Sequence, residues 1–303
     1  MKILCADLTL DLSQPVVMGI LNATPDSFSD GGQYFTNDLN SSSKNIDLAL
    51  TRVEQMINGG AKIIDVGGES TRPGAKPVSV DEELHRVIPV VEAIRKSFEV
   101  IVSVDTSSPK VMEEAAKVGA GIINDVRALQ KENALQVAAQ TGLPICLMHM
   151  QGQPESMQNN PSYDRVVADV KTFLTERIMA CEQAGISKDK IFVDPGFGFG
   201  KSLAHNLELL KRLNELDSLG CPILVGLSRK SMVAKILELD QALDSRTKHT
   251  LGNRSVKENR LIGSVSLALL AAERGASIIR VHDVAATREA LQILLAITDN
   301  SHH

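Results

Sequence analysis

Three times in this 303-residue chain a Gly-Ala pair is followed by one variable residue, two isoleucines and a polar residue, at 60–65, 119–124 and 275–280. The copies end at Asp65, Asn124 and Arg280. The spacing predicts one unit each time: glycine ends a helix, the isoleucines form a short buried strand, and the polar residue stands at the strand's C-terminal end. A chain built on this unit is a parallel α/β protein with its chemistry at the carboxyl ends of its strands. The copies are unevenly spaced, which excludes a solenoid.

Looser spellings of the unit bring the strands to eight. They are 16–21 ending at Asn22, 63–66 carrying Asp65, 100–104 ending at Asp105, and 121–123 ending at Asn124. In the second half they are 144–148 ending at His149, 191–193 ending at Asp194, 223–227 running into Ser228, Arg229 and Lys230, and 278–281 carrying Arg280 with His282 behind it. Each run is short, apolar and rich in β-branched residues, as strands covered on both faces are. Amphipathic stretches long enough for helices lie between them, among them 81–97, 109–118, 163–184 and 206–219. Eight βα units in about 300 residues predict a single-domain (β/α)8 TIM barrel rather than a doubly wound sheet. Residues 3–12 alternate apolar and polar, which predicts a short N-terminal β-hairpin closing the barrel bottom. The expected division is a hairpin at 1–15, a barrel at 16–298 and a tail at 299–303, whose final Ser301, His302 and His303 are read as a tag remnant without function.

Composition narrows the class of function. With 43% hydrophobic residues the chain can bury a sizeable core, and its apolar runs fall short of a membrane span. The first residues lack a charged-then-apolar secretory start, so the expectation is a cytoplasmic enzyme. Cys5, Cys146, Cys181 and Cys221 have no Cys-x-x-Cys spacing and are read as free buried thiols, neither a zinc site nor a disulfide framework. A net charge of −5 without a basic block argues against nucleic acid as partner. Two polar stretches, 36–45 and 239–258, are expected to be inserted surface loops.

The loops after the strands carry the specific signal. Residues 22–32 mix turn formers with oxygens suited to metal and phosphate. In 67–74, glycines permit close backbone approach while Thr71 and Arg72 can grip an anion. The run 194–201 alternates glycine with Phe197 and Phe199 before Lys201, 226–231 contains Ser228, Arg229, Lys230 and Ser231, and the last strand ends Arg280, Val281, His282, Asp283. The 196–201 run is no phosphate-binding P-loop, because that spelling needs glycine where Pro195 stands. Tight turning explains Gly196 and Gly198 but not two phenylalanines in a mobile exposed loop. Phe199 therefore reads as a wall for a flat substrate and Phe197 as core. An isolated Asp or Asn after a strand is often a helix N-cap, but Asp105, Asn124 and Asp194 converge on one mouth.

In this order and combination, the five loops closely resemble the dihydropteroate synthases, folate-pathway enzymes that join a dihydropterin pyrophosphate to p-aminobenzoate. The resemblance runs from about residue 16 to 298. It implies that Asp105, Asn124, Met148, Asp194, Gly226 and Lys230 hold the pterin, carboxylates and amides matching the ring's donors. It implies pyrophosphate held by Asn22, Thr71, Arg72, Arg280 and His282, with Mg²⁺ at Asn22. That ion keeps waters and borrows phosphate oxygens, so a dense carboxylate cluster is not needed. It places p-aminobenzoate against Pro73, Phe199, Lys230 and Ser231, and implies a homodimer through barrel helices, with 261–272 the candidate.

Asp105, Lys230, Arg280 and His282 are the expected catalytic groups. Pyrophosphate leaves the pterin methylene, the electron-rich ring spreads the positive charge left behind, and the aromatic amine attacks without a strong general base. His149 is read as a satisfied structural histidine, while Asp65 and Glu69 stay unassigned. The alternatives are a methyltetrahydrofolate-dependent methyltransferase barrel, which shares the Asp105, Asn124 and Asp194 positions but has no use for Arg72 or Arg280, and a pterin-binding paralogue without activity. A generic phosphate-binding barrel comes last.

Overall fold

The three repeated glycines adopt nearly the same backbone geometry in the computed structural model, with φ of 96°, 97° and 98° at Gly60, Gly119 and Gly275. That left-handed turn is the one a helix uses to stop and hand its chain to a strand, and it strains any residue with a Cβ. After each glycine a buried alanine leads toward a strand, where the first isoleucine faces the barrel interior and the second faces the surrounding helices. The polar residue two positions beyond the inward isoleucine faces the interior again, higher up.

The structure describes residues 1–23, 39–69, 78–153, 157–158, 160–243 and 256–298. Two short strands, β1 (Lys2–Cys5) and β2 (Leu8–Asp11), pair antiparallel. Eight parallel strands then close a barrel in the order β10-β3-β4-β5-β6-β7-β8-β9. They are β3 (Val16–Asn22), β4 (Ala61–Gly67), β5 (Ile101–Asp105), β6 (Ile122–Asp125), β7 (Ile145–Met148), β8 (Ile191–Asp194), β9 (Ile223–Val225) and β10 (Ala276–Val281). The expected (β/α)8 fold is the observed one.

Helices α1 (Leu39–Asn58), α2 (Val80–Ser97), α3 (Pro109–Lys117), α4 (Ala134–Thr141), α5 (Val166–Gln183), α6 (Leu203–Lys211), α7 (Ser231–Leu243), α8 (Val256–Glu273) and α9 (Val284–Thr298) join the strands. Both expected insertions are partly helical: α1 begins inside 36–45, and α7 and α8 extend into the two ends of 239–258. The helix expected over 206–219 starts earlier, at Leu203, where Ser202 and His205 form a capping box, and gives way to a 3-10 segment at Leu213–Leu219.

Met18, Ile63, Ile101, Ile122, Cys146, Phe192, Leu224 and Ile278, one from each barrel strand, form an inner apolar layer with Ile3, Cys5 and Leu10 of the hairpin. The hairpin therefore floors the barrel at the N-terminal ends of its strands. All four cysteines are buried and free. Burial pushes the Cys5 thiol up to about 12 and those of Cys181 and Cys221 up to about 11.

Candidate active site

The polar ends of the three repeated units meet. Asp65 on β4 is fully buried, and Arg280 on β10 donates from Nε to its Oδ2 at 2.6 Å. Asn124 on β6 donates from Nδ2 to the same carboxylate at 3.3 and 3.4 Å, and the Ser103 hydroxyl on β5 donates to Oδ1 at 2.6 Å. Arg280 also donates from Nη2 to Asp105 Oδ2 at 2.9 Å. Asp105 ends β5 in register with Gly67 and Asn124. One guanidinium thus bridges a buried carboxylate below and a mouth-facing one above, while 21% of its side chain stays accessible.

Burial works against charge here, and the pairings decide which groups keep it. It pushes the Asp105 carboxyl up to about 7, against the pull of Arg280 and with help from the nearby Asp65 charge. Burial also disfavours the Arg280 cation, but Asp65 and Asp105 outweigh that and hold it above its ordinary range. Asp65, unassigned from sequence, is the hub that orients Arg280 and Asn124. The signal lay in the repeat, since Asp65 occupies the same position of the unit as Asn124 and Arg280. Glu69 points elsewhere, pairing with Arg127 at 3.6 Å.

A second group lies across the mouth. Asp194 ends β8 in register with Met148 of β7, both buried. Burial raises the Asp194 carboxyl, opposed by Lys230 and by the Gly196 N–H that donates to Oδ1 at 2.7 Å. Lys230, half-buried, donates to the Phe197 carbonyl and sits 4.6 Å over the Phe199 ring. Burial brings its ammonium down to about 8, with Asp194 resisting. Phe197 is core, as expected, and Phe199 is half-buried.

The loop that carries them is not loose. Gly196 has φ +68, and a Cβ there would stand 1.8 Å from the His149 carbonyl oxygen, so only glycine fits between the β8 loop and β7. At this point the loop packs directly on the β7 end.

His149 is a satisfied structural residue: its Nδ1 accepts from Lys201 at 2.8 Å, and burial with the Lys201 charge depresses it to about 2. His282 follows β10, and its backbone N–H donates to Ser228 Oγ at 3.2 Å while its Nδ1 lies 3.1 Å from that oxygen. A Cβ on Gly226 would lie 3.9 Å from Arg280 Cβ and Cδ, so the β9 end flanks the Arg280 stem. Asn22 closes β3, the strand between those of Arg280 and Asp65. Ser231 opens α7 and is exposed. Thr71, Arg72 and Pro73 lie outside the described residues.

A barrel whose strand ends gather carboxylates, an amide and cations above an apolar interior is a ligand-binding enzyme of the TIM-barrel class. The chain belongs to the family described as pterin binding enzyme, whose profile matches residues 18–282. It is 55% identical to the dihydropteroate synthase of Escherichia coli (strain K12), over 98% of this chain and 96% of that one. A crystal structure of Yersinia pestis dihydropteroate synthase with a sulfonamide drug complex superposes with a TM-score of 0.86 at 51% identity, covering 98% of this chain and 99% of that one. Xanthomonas albilineans dihydropteroate synthase with 4-aminobenzoic acid gives a TM-score of 0.84 at 46% identity, over 98% and 97%.

Proposed function

We propose that this chain condenses 6-hydroxymethyl-7,8-dihydropterin pyrophosphate with p-aminobenzoate to 7,8-dihydropteroate and pyrophosphate. The observation that carries the reading is the joining of Asn124 and Arg280 through Asp65, and of Asp105 through Arg280, at one mouth, with Asp194 and Lys230 facing them. Asp194 and Asn124 accept from and donate to the pterin edge, Lys230 meets its acceptor side, and Met148 and Gly226 flank the ring. Arg280 and His282, with Arg72, neutralise the pyrophosphate, and the Thr71 hydroxyl donates to it, as the methylene C–O bond breaks and its electron pair leaves on oxygen. Asp105, as carboxylate, stabilises the cation on the ring. The p-aminobenzoate nitrogen then bonds the methylene and loses its proton to solvent, held against Phe199, Pro73, Lys230 and Ser231.

The donor set suits Mg²⁺, which binds through one or two protein oxygens, waters and substrate phosphates. Asn22 offers such a hard oxygen beside the Asp65 and Arg280 strands. When bound at Asn22, the ion supplies charge neutralisation to the pyrophosphate.

The reading extends to a cytoplasmic homodimer whose residues 16–298 act as one barrel. Ile262 and Leu270 on α8 and Ile293 and Ile297 on α9 are exposed, and these adjoining helices offer an apolar face to a second copy. Light scattering with and without Ile262→Asp tests it. The activity is tested by pyrophosphate release from the pterin pyrophosphate with and without p-aminobenzoate. Release coupled to dihydropteroate formation supports the reading. A chain that binds the pterin yet forms no dihydropteroate overturns it.

A further inference from the structure

Lys201 is absorbed by none of the roles above, and it is the least expected side chain in the molecule. Only 3% of it is exposed, and it follows a glycine-rich loop whose spelling forbids a P-loop. Its Nζ lies among acceptors: His149 Nδ1 at 2.8 Å, Gly196 O at 2.9 Å, Phe199 O at 3.1 Å and His149 O at 3.4 Å. The Tyr163 ring stands 5.9 Å away. A methionine or leucine would fill such a space without the desolvation that a buried ammonium costs. The polar surroundings are therefore the reason for lysine.

Those surroundings form a pattern. Every carbonyl from Gly196 to Gly200 accepts from a side chain: Gly196 and Phe199 from Lys201, Phe197 from Lys230, Gly198 from Gln158 and Gly200 from Tyr163 at 2.8 Å. The N–H of Gly198 is held as well, by Asn206 Oδ1 at 2.7 Å. Lys201 alone supplies two of the five carbonyl contacts and is the side chain that ties the loop to the β7 end through His149. The loop presents Phe199 and the Phe197 carbonyl, and the Lys230 stem crosses it so closely that a Cβ on Gly198 would meet Lys230 Cδ at 3.2 Å.

We infer that Lys201 is a positioning residue for the condensation: by gathering the loop carbonyls and His149 around one buried nitrogen, it fixes Phe199 and the carbonyl that orients Lys230. This rests on the proposed reaction, in which Phe199 and Lys230 flank p-aminobenzoate. Lys201 itself touches neither substrate. Asp105 and Asn124, which also meet the pterin, belong to β5 and β6 and are held by Asp65 and Arg280, whereas Asp194, bonded by the Gly196 N–H, and Lys230, bonded to the Phe197 carbonyl, reach the pterin from the Lys201 side. Lys201 therefore bears on the whole p-aminobenzoate wall but on only part of the pterin's contacts.

The test is Lys201→Met, assayed for the KM of p-aminobenzoate, for kcat and for pterin affinity by calorimetry. Loss of the loop's central donor is expected to raise the p-aminobenzoate KM roughly tenfold or more, the size of one lost buried hydrogen bond or wall, with a clearly smaller loss of pterin affinity because Asp105 and Asn124 keep their hold on Asp65 and Arg280. Tyr163→Phe, which frees only the Gly200 carbonyl, is expected to move the same KM in the same direction by a smaller factor. Lys201→Ala supplemented with propylammonium restores the KM if a cation at that point is what the loop needs. Should Lys201→Met not fold, the alanine variant with the amine and Tyr163→Phe carry the test. An unchanged p-aminobenzoate KM, or equal losses for pterin and p-aminobenzoate, overturns the inference while leaving the reaction standing. A parent protein that makes no dihydropteroate overturns the reaction instead. Amide exchange at Gly198 and Phe199, faster in Lys201→Met than in the parent, then supports the loop role, and unchanged exchange removes it.

Discussion

The floor and the mouth of the barrel are built by the same strands, two residues apart. Ile63 lies in the inner apolar layer and Asp65 above it, Ile122 below Asn124, Ile278 below Arg280, Phe192 below Asp194. The floor has apolar side chains and a hairpin beneath them; the mouth has ionisable groups held one against another. The difference teaches how an enzyme keeps charges unusual. Because the layer below is apolar, the mouth groups find their polar partners among themselves, and the pairings among Asp65, Arg280 and Asp105 decide which groups stay charged. Stability and chemistry are divided along the strand axis, with the period of two as the divider.

The division is broken hardest by Arg280→Ala. It removes the charge proposed to meet pyrophosphate and leaves Asp65 buried without its cation. We expect turnover to fall by about 10²- to 10³-fold and unfolding free energy by about 3–5 kcal/mol, measured by pyrophosphate release and urea denaturation. In Arg280→Ala with Asp65→Asn the stability should largely return while the activity does not. Recovery of both would make Arg280 purely structural.

Phe192→Ala attacks the other end. As one of the largest fully buried side chains, it is expected to cost about 3–5 kcal/mol in stability with little change in pterin affinity. A matching loss of pterin binding would show that floor and mouth are not separable.

Asp194→Ala sharpens the mouth itself. Leaving pterin donors unpaired should weaken pterin binding by about 1–3 kcal/mol, read by calorimetry, while the fold survives. Pterin binding equal to the parent's would remove Asp194 from the site.

The smallest effect is a pH profile. Asp105 is raised to about 7, so its required carboxylate forms only as pH rises through that value, and Lys230, lowered to about 8, loses its proton above it. The expected kcat/KM profile is a narrow bell between these apparent limbs. The acidic limb should vanish in an Asp105→Asn variant with residual activity. For stability the sign is opposite: a raised carboxyl favours the folded state at low pH, a contribution lost as pH climbs from about 4 to about 7. A flat rate profile would place the ionisations elsewhere.

Much of this was legible in the sequence. Glycine, buried strand and polar end recur in spelling, and each recurrence became a barrel strand. The hairpin was readable from its alternation. What the sequence hid were partnerships. Asp65 lies 215 residues from Arg280 and Lys201 lies 52 from His149, and no local pattern encodes such pairs. The helical ends of the two polar stretches were hidden for another reason. Asn and Ser favour caps and turns over helix interiors, so 36–45 reads as loop although α1 continues into a face that buries Ala49 and Val53. Tyr163, expected within a helix, instead stands before α5 and bonds the Gly200 carbonyl.

The hairpin floor also orders events in time. Its apolar layer draws on Ile3 near one end of the chain and Ile278 near the other, and β10 pairs with β3 from Ile278 and Val16 to Val281 and Gly19. Strands β3 to β9 can align one after another as they leave the ribosome, yet the sheet keeps two raw edges until β10 arrives between them. Closing so distant a contact is entropically slow. A nascent chain ending at Gly275 is therefore expected to be collapsed, dye-binding and without a cooperative melting transition. A sharp transition from that fragment would mean that seven strands suffice. Otherwise the last strand made is the one that turns an aggregation-prone ribbon into an enzyme.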